Sequence, residues 1–151
     1  SSDVCSSDLG RASLEQNRRA LCEALWREWS PTWAFTPELY ARTASSFENP
    51  DFVDCVIHSY RHRNFNAPGE PRFVEVEKQL AARPPITVPV ISLHGADDAF
   101  GVPAPSISQA DRAVMPQLIE KRIVHGAGHF VPHERPEPVA QALIDLLARA
   151  K

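Results

Sequence analysis

The stretch Ile86-Thr87-Val88-Pro89-Val90-Ile91-Ser92-Leu93 limits what this chain can fold into more than any other. It is short, β-branched and apolar at successive positions instead of alternating ones. That is the pattern of a strand buried on both faces of a parallel sheet. Pro89 falls near its start, where a missing ladder donor is tolerated. Residues 118–124, LIEKRIV, read as a second strand, and a short helix fits around residues 108–114 between the two. Residues 136–150 read as a closing helix with Val139, Leu143, Leu146 and Leu147 on one face. Two parallel strands do not make a stable sheet by themselves, because parallel sheets need several neighbours and cover on both faces. The second half of the chain therefore reads as part of a larger α/β assembly.

Everything before residue 84 reads as helix and turn. Ser13 with Gln16 three positions on is a capping-box start, and Leu14, Leu21, Leu25, Trp26 and Trp29 give the following helix an apolar stripe up to Ser30-Pro31. Thr36-Pro37-Glu38 supplies a capping hydroxyl, a proline at the first helical position and an acid near the positive helix end. Leu39, Tyr40 and Phe47 then point inward. Asn49-Pro50-Asp51 repeats the device before Phe52, Val53, Val56, Ile57 and Tyr60. After the turn at residues 67–71, a fourth helix places Phe73, Val76 and Leu80 inward. Residues 1–10, SSDVCSSDLG, have no periodicity and neither the basic start nor the apolar centre of a secretory signal, so they read as a non-native or disordered tail. The expected division is a tail over 1–10, a helical part over 11–83 and an α/β part over 84–151.

Charge and cysteine usage exclude several function classes. Sixteen Lys and Arg against nineteen Asp and Glu give a net charge of −3, which argues against nucleic acid or an anionic membrane as partner. No run reaches the ~18 apolar residues of a membrane span. Three cysteines without CxxC spacing make a disulfide framework or a zinc ribbon a poor fit and suit a reducing, cytoplasmic setting.

The chemistry concentrates beyond the two strands. Asp98 lies just past the first and His129 just past the second, 31 positions later. Catalytic groups of open α/β sheets gather at the carboxyl ends of strands, so neighbouring parallel strands would bring this acid and this imidazole to one edge. A carboxylate beside a histidine fixes its tautomer and stabilises the imidazolium formed when it takes a proton. Gly126 and Gly128 let the backbone bend so that His129 can point into a cleft. Asp97 is the rival acid.

Here the chain resembles the α/β-hydrolase fold family, whose triad runs nucleophile, acid, histidine in chain order. PVISLHGADDAFGVP looks like the family's penultimate strand and acid loop, with Gly-x-x-Asp favouring Asp98 over Asp97. HGAGHFVPHERPEPV looks like its last strand-to-helix turn. The helices ahead resemble, more loosely, the cap that many members insert before the penultimate strand. The fold class implied is a C-terminal fragment of an α/β-hydrolase, a helical cap followed by strand-helix-strand-helix of a parallel sheet. One departure is large: no G-x-S-x-G or near relative exists in the sequence, and the oxyanion-hole turn and most strands of the family's sheet have no counterpart. The resemblance implies a parent that hydrolyses a small, ester-like apolar substrate, with His129 as general base, Asp98 orienting it and the nucleophile absent from these residues. It needs no metal or organic cofactor. An epoxide hydrolase with an aspartate nucleophile is the alternative within the fold. A helical interaction module in which Asp98 and His129 are incidental is the alternative outside it.

Other residues follow from the same frame. A cap over the strand ends would turn Tyr60 or His58 toward His129, with Tyr60 placed as a proton donor in the epoxide reading. Trp33, with Trp26, Trp29 and Phe35, would roof an apolar substrate or form the cap's core. His125, His129 and His133 recur every fourth residue, but Gly126, Gly128 and Pro132 forbid the helix that would gather them on a metal. His58 and His62 share a helical face without the glutamate of H-E-x-x-H, so they read as a solvated or cleft-lining pair. Cys22 and Cys55 read as buried thiols.

Overall fold

The structure, a computed structural model, describes residues 8–149. Residues 1–7 of the expected tail, with Cys5, and Ala150 of the expected last helix lie outside the described residues. The chain divides into two compact units, one of residues 8–25 and 34–78, the other of Trp26–Trp33 and residues 79–149.

The helix α1 (Asp8–Trp29), of which residues 8–25 belong to the first unit and the last four to the second, starts five residues before the expected cap and departs from helical angles once, at Asn17. Residues 8–10 are thus helical. Ser13 caps nothing: with a helical turn ahead of it, its hydroxyl donates back to the Leu9 carbonyl at 2.9 Å. Leu14 of α1 packs with Val53 and Ile57 of α3 (Phe52–Arg63), and Leu21, Cys22, Phe52 and Val56 surround them. Between these helices, α2 (Pro37–Ala44) forms as read, with the Leu39 N–H donating to the Thr36 hydroxyl at 3.2 Å. Tyr40, Ala44 and Phe47 are buried. The Tyr40 hydroxyl donates to the Arg19 carbonyl, and burial pushes this phenol's pKa up.

The fourth helix departs from expectation. A 3₁₀ turn, Pro71–Phe73, leads into α4 (Val74–Ala81), and neither contains a buried residue. Phe73, Val76 and Leu80, expected inward, are exposed because no described element covers that side. The contact that α4 makes with α3 is polar: His62 Nε2 lies 3.2 Å from Glu77 Oε1.

In the second unit, β1 (Val90–Gly95) and β2 (Leu118–Val124) pair in parallel. The first strand starts four residues later than expected. Pro89 has no N–H for the ladder, so pairing begins after it and leaves Ile86 and Val88 exposed. Between the strands, α5 (Gln109–Val114) opens with a reciprocal capping box of Ser108 and Asp111. A short helix, α6 (Val131–Glu134), precedes α7 (Pro136–Arg149). Val139 of α7 packs with Leu93, Val124, Ala127 and Val131, and Ala142 is buried. Leu143 and Leu147, expected on that same face, are 58% and 69% exposed. Two strands about 4.8 Å apart are narrower than the apolar stripe of a helix about 10 Å across, so only part of the stripe finds cover.

Asp111 also receives Lys121 Nζ of β2 at 2.7 Å, tying α5 to the sheet. This ammonium, with the Ser108 backbone and hydroxyl, lowers the Asp111 carboxyl pKa to about 2. The folded value is depressed below the unfolded one, so the resulting stability is fully present above about pH 4 and is lost as pH falls toward 2. Lys121→Met is expected to raise the Asp111 pKa toward the ordinary carboxylate range, read by NMR titration of its side-chain carboxyl carbon. An unmoved titration would contradict the ion pair.

Candidate active site

Pairing of Gly95 with Val124 makes the two strands end level. Beyond them the Ala96 N–H donates to the Val124 carbonyl and the Asp97 N–H to the Ala127 carbonyl, each at 2.9 Å. The loops after β1 and β2 therefore leave the same edge side by side. Asp98 and His129 meet there, with Asp98 Oδ2 3.1 Å from His129 Nδ1. The Asp98 side chain is 8% exposed and that of His129 41%. Asp98 Oδ1 accepts the Phe100 N–H at 2.9 Å, which holds the carboxylate in its turn. A carboxylate acceptor at Nδ1 assigns the proton of the neutral ring to that nitrogen and leaves the lone pair on Nε2. Asp97 has a different partner, since its Oδ2 accepts the Thr32 hydroxyl at 3.1 Å.

The loop that carries His129 is held by residues that sequence reading did not single out for this task. The residue Ser30 is 1% exposed. Its Oγ accepts the N–H groups of His129 at 2.8 Å and Phe130 at 3.3 Å, and donates to Glu134 Oε1 at 2.7 Å. Glu134 in turn accepts the N–H of Gly128 at 2.8 Å and of Phe130 at 3.0 Å. The Trp29 carbonyl takes the His129 N–H at 3.2 Å. Ser30 and His129 lie 99 positions apart, so no spacing signal connects them. The two glycines divide their labour. Gly126 turns the chain at φ +70°, whereas Gly128 permits close approach: a Cβ there would lie 2.6 Å from the Ser30 Cα.

Aromatic rings surround the imidazole. Phe100 stands 5.0 Å from the His129 ring, and Trp29 and Phe130 each 5.5 Å. Trp33 belongs to this unit, stacked on Trp26 at 5.1 Å and beside His133 at 6.1 Å. Tyr60 and His58 lie on α3 of the first unit, Tyr60 half-buried and His58 exposed. There His58 lines a groove of about 610 Å³ with Arg11, Asp54, Cys55, Arg61 and Asn66. Cys55 is exposed, contrary to the expected buried thiol, because it lies off the Val53–Ile57 stripe; Cys22 is half-buried against that stripe. Among the described residues, no group of three or more His, Cys, Asp or Glu could hold a metal ion, and no helix is long and apolar enough to cross a membrane.

No protein-family model and no curated protein matches the sequence. Eleven chains of solved structures do. One of them, a "putative epoxide hydrolase" from Klebsiella pneumoniae subsp. pneumoniae MGH 78578, is 35% identical with a TM-score of 0.86. The match covers 96% of this chain and 47% of the Klebsiella protein, so the chain spans about half the length of that neighbour. Over the matched part, the fold is hydrolase-like.

The close approach at the histidine loop is directly testable. Gly128→Ala is expected to lower the unfolding free energy by about 1–3 kcal/mol, the usual cost of overpacking, as measured by chemical denaturation. An unchanged midpoint would mean that the loop does not come this near the Trp29–Ser30 peptide.

Proposed function

We propose that this chain carries the acid–histidine half of a hydrolase of the α/β-hydrolase fold, with Asp98 orienting His129 and His129 Nε2 acting as general base. The observation that carries this reading is the 3.1 Å contact between Asp98 Oδ2 and His129 Nδ1, made across two parallel strand ends by a nearly buried carboxylate and a part-exposed imidazole. Proton transfer by a histidine so oriented contributes about 10²–10⁴-fold to a rate. In this reading the nucleophile lies outside these residues, a reading supported by the absence of a G-x-S-x-G spacing around any of the six glycines here. In this reading, residues 11–83 are the cap and residues 84–151 the C-terminal part of the core.

The description of the Klebsiella neighbour favours an epoxide as the substrate class. A carboxylate nucleophile that opens an epoxide forms a hydroxyalkyl ester, and water activated at His129 Nε2 then cleaves that ester. Hydrolysis of a simple ester through a serine nucleophile uses the same last step, so His129 and Asp98 serve both substrates alike. Tyr60 is the residue of α3 suited to protonate the opening ring, with His58 and Trp33 as candidate substrate contacts. The partner implied is a small molecule, and the cytoplasm remains the expected setting.

Turnover of an aryl epoxide and of a p-nitrophenyl ester tests the reading. The 151-residue chain alone is expected to show no turnover above a His129→Ala control. Joined to the complementary half of the Klebsiella protein, it is expected to hydrolyse the epoxide and to lose about 10²–10⁴-fold in kcat on His129→Ala or Asp98→Asn. Robust His129-dependent turnover by the chain alone would overturn the assignment of the nucleophile to the other half.

A further inference from the structure

The contacts around the Trp29–Ser30 peptide converge on both members of the acid–histidine pair. The Trp29 carbonyl accepts the N–H of His129 at 3.2 Å and, more distantly, that of Ala99 at 3.5 Å, the residue directly after Asp98. It thus receives one N–H from the histidine loop and one from the acid loop. The Ser30 hydroxyl accepts the His129 and Phe130 N–H groups and donates a hydrogen bond to Glu134, which accepts the Gly128 N–H. Three successive N–H groups of the histidine loop therefore end on Trp29, Ser30 and Glu134. Two residues further on, Thr32 engages Asp97 beside the acid.

We propose that the Trp29–Ser30 peptide, with Glu134, is the positioning element of the Asp98–His129 pair: it sets the distance between the two loops and so selects the Nδ1-protonated tautomer of His129. The proposal deepens the assignment of Asp98 and His129 under Proposed function and rests on it. The physical reason is geometric. Asp98 and His129 lie three and five residues beyond their strands, past the last ladder bonds, where sheet pairing no longer fixes them. A histidine with 41% of its side chain exposed is not oriented by packing alone. The Trp29 carbonyl and Ser30 hydroxyl provide backbone anchors at His129 itself, and Glu134 holds the hydroxyl in its accepting orientation. Ser30, Trp29 and Glu134 are positioning residues, since the reacting nitrogen is Nε2 of His129.

The test reads the tautomer. Long-range ¹H–¹⁵N NMR of the 151-residue chain near pH 8, where an ordinary imidazole is neutral, is expected to show His129 protonated at Nδ1. Asp98→Asn serves as the assignment control. Ser30→Ala is expected to turn the Nδ1-protonated ring from the major form into the minor one, while amide signals of β1, α5 and β2 stay in place. A merely structural serine would lower the melting temperature without moving the tautomer. If the Nδ1-protonated form stays dominant in folded Ser30→Ala, the proposal is overturned. If Ser30→Ala does not fold, Glu134→Gln is judged by the same criterion, because its amide cannot accept all the donors the carboxylate accepts. A folded wild-type chain whose His129 is protonated at Nε2 would remove the acid–histidine assignment and this proposal with it. Inactivity of the joined protein toward epoxides and esters would count against the substrate reading alone, since the tautomer is read without turnover.

Discussion

Parallel pairing of Val90–Gly95 with Leu118–Val124 is the constraint on which the second unit depends. In an antiparallel pair, the ends of the two strands would leave opposite edges, and the residues following them would never meet. Here the crossover through α5 returns the chain so that both strands finish together, and a carboxylate and an imidazole 31 positions apart come within hydrogen-bond distance. The same register puts Val124 and Leu93 against Ala127, Val131 and Val139, the small apolar cluster that supports the loops from below. Polar anchoring of the crossover, through the Ser108 capping box and the Lys121–Asp111 pair, limits how far α5 can drift from β2.

Above that cluster, the structure relies on polar groups withdrawn from water. A buried hydroxyl left unpaired would cost about 1–3 kcal/mol, whereas Ser30 is satisfied as both donor and acceptor. Glu134 gathers the N–H groups of Gly128 and Phe130 and the Ser30 hydroxyl, and that hydroxyl takes the His129 N–H, so the loop is tied at three consecutive amides. Such a network has directional demands that apolar packing lacks. It fixes one conformation where the glycines would otherwise permit many.

Local chemistry was legible in the sequence where local chemistry decides the outcome. Thr36-Pro37-Glu38 starts α2 because capping is settled within four residues, and LIEKRIV forms β2 with the expected ends because turn residues bound it on both sides. Asp98 was separable from Asp97 only through a family spacing, and the structure shows the physical difference: Thr32 engages one and His129 the other. What could not be read depends on distant partners. Nothing near Ser30 announces Glu134, and the stripe of Phe73, Val76 and Leu80 has helical spacing whether or not anything covers it. Ser13 misled for a related reason. A serine and glutamine three apart signal a helix start only if the residues before them are not helical, and Leu9 is.

The fourth helix has a consequence of its own. With no residue of Pro71–Phe73 or Val74–Ala81 buried, and an imidazole–carboxylate contact as its described tie to α3, its local opening takes no fully buried side chain out of packing. Segments of that kind open at free energies far below that of global unfolding. The amides of α4 are therefore expected to exchange with solvent apart from the Leu14–Val53–Ile57 core, and the turn before α4 to be open to a protease while that core is still folded.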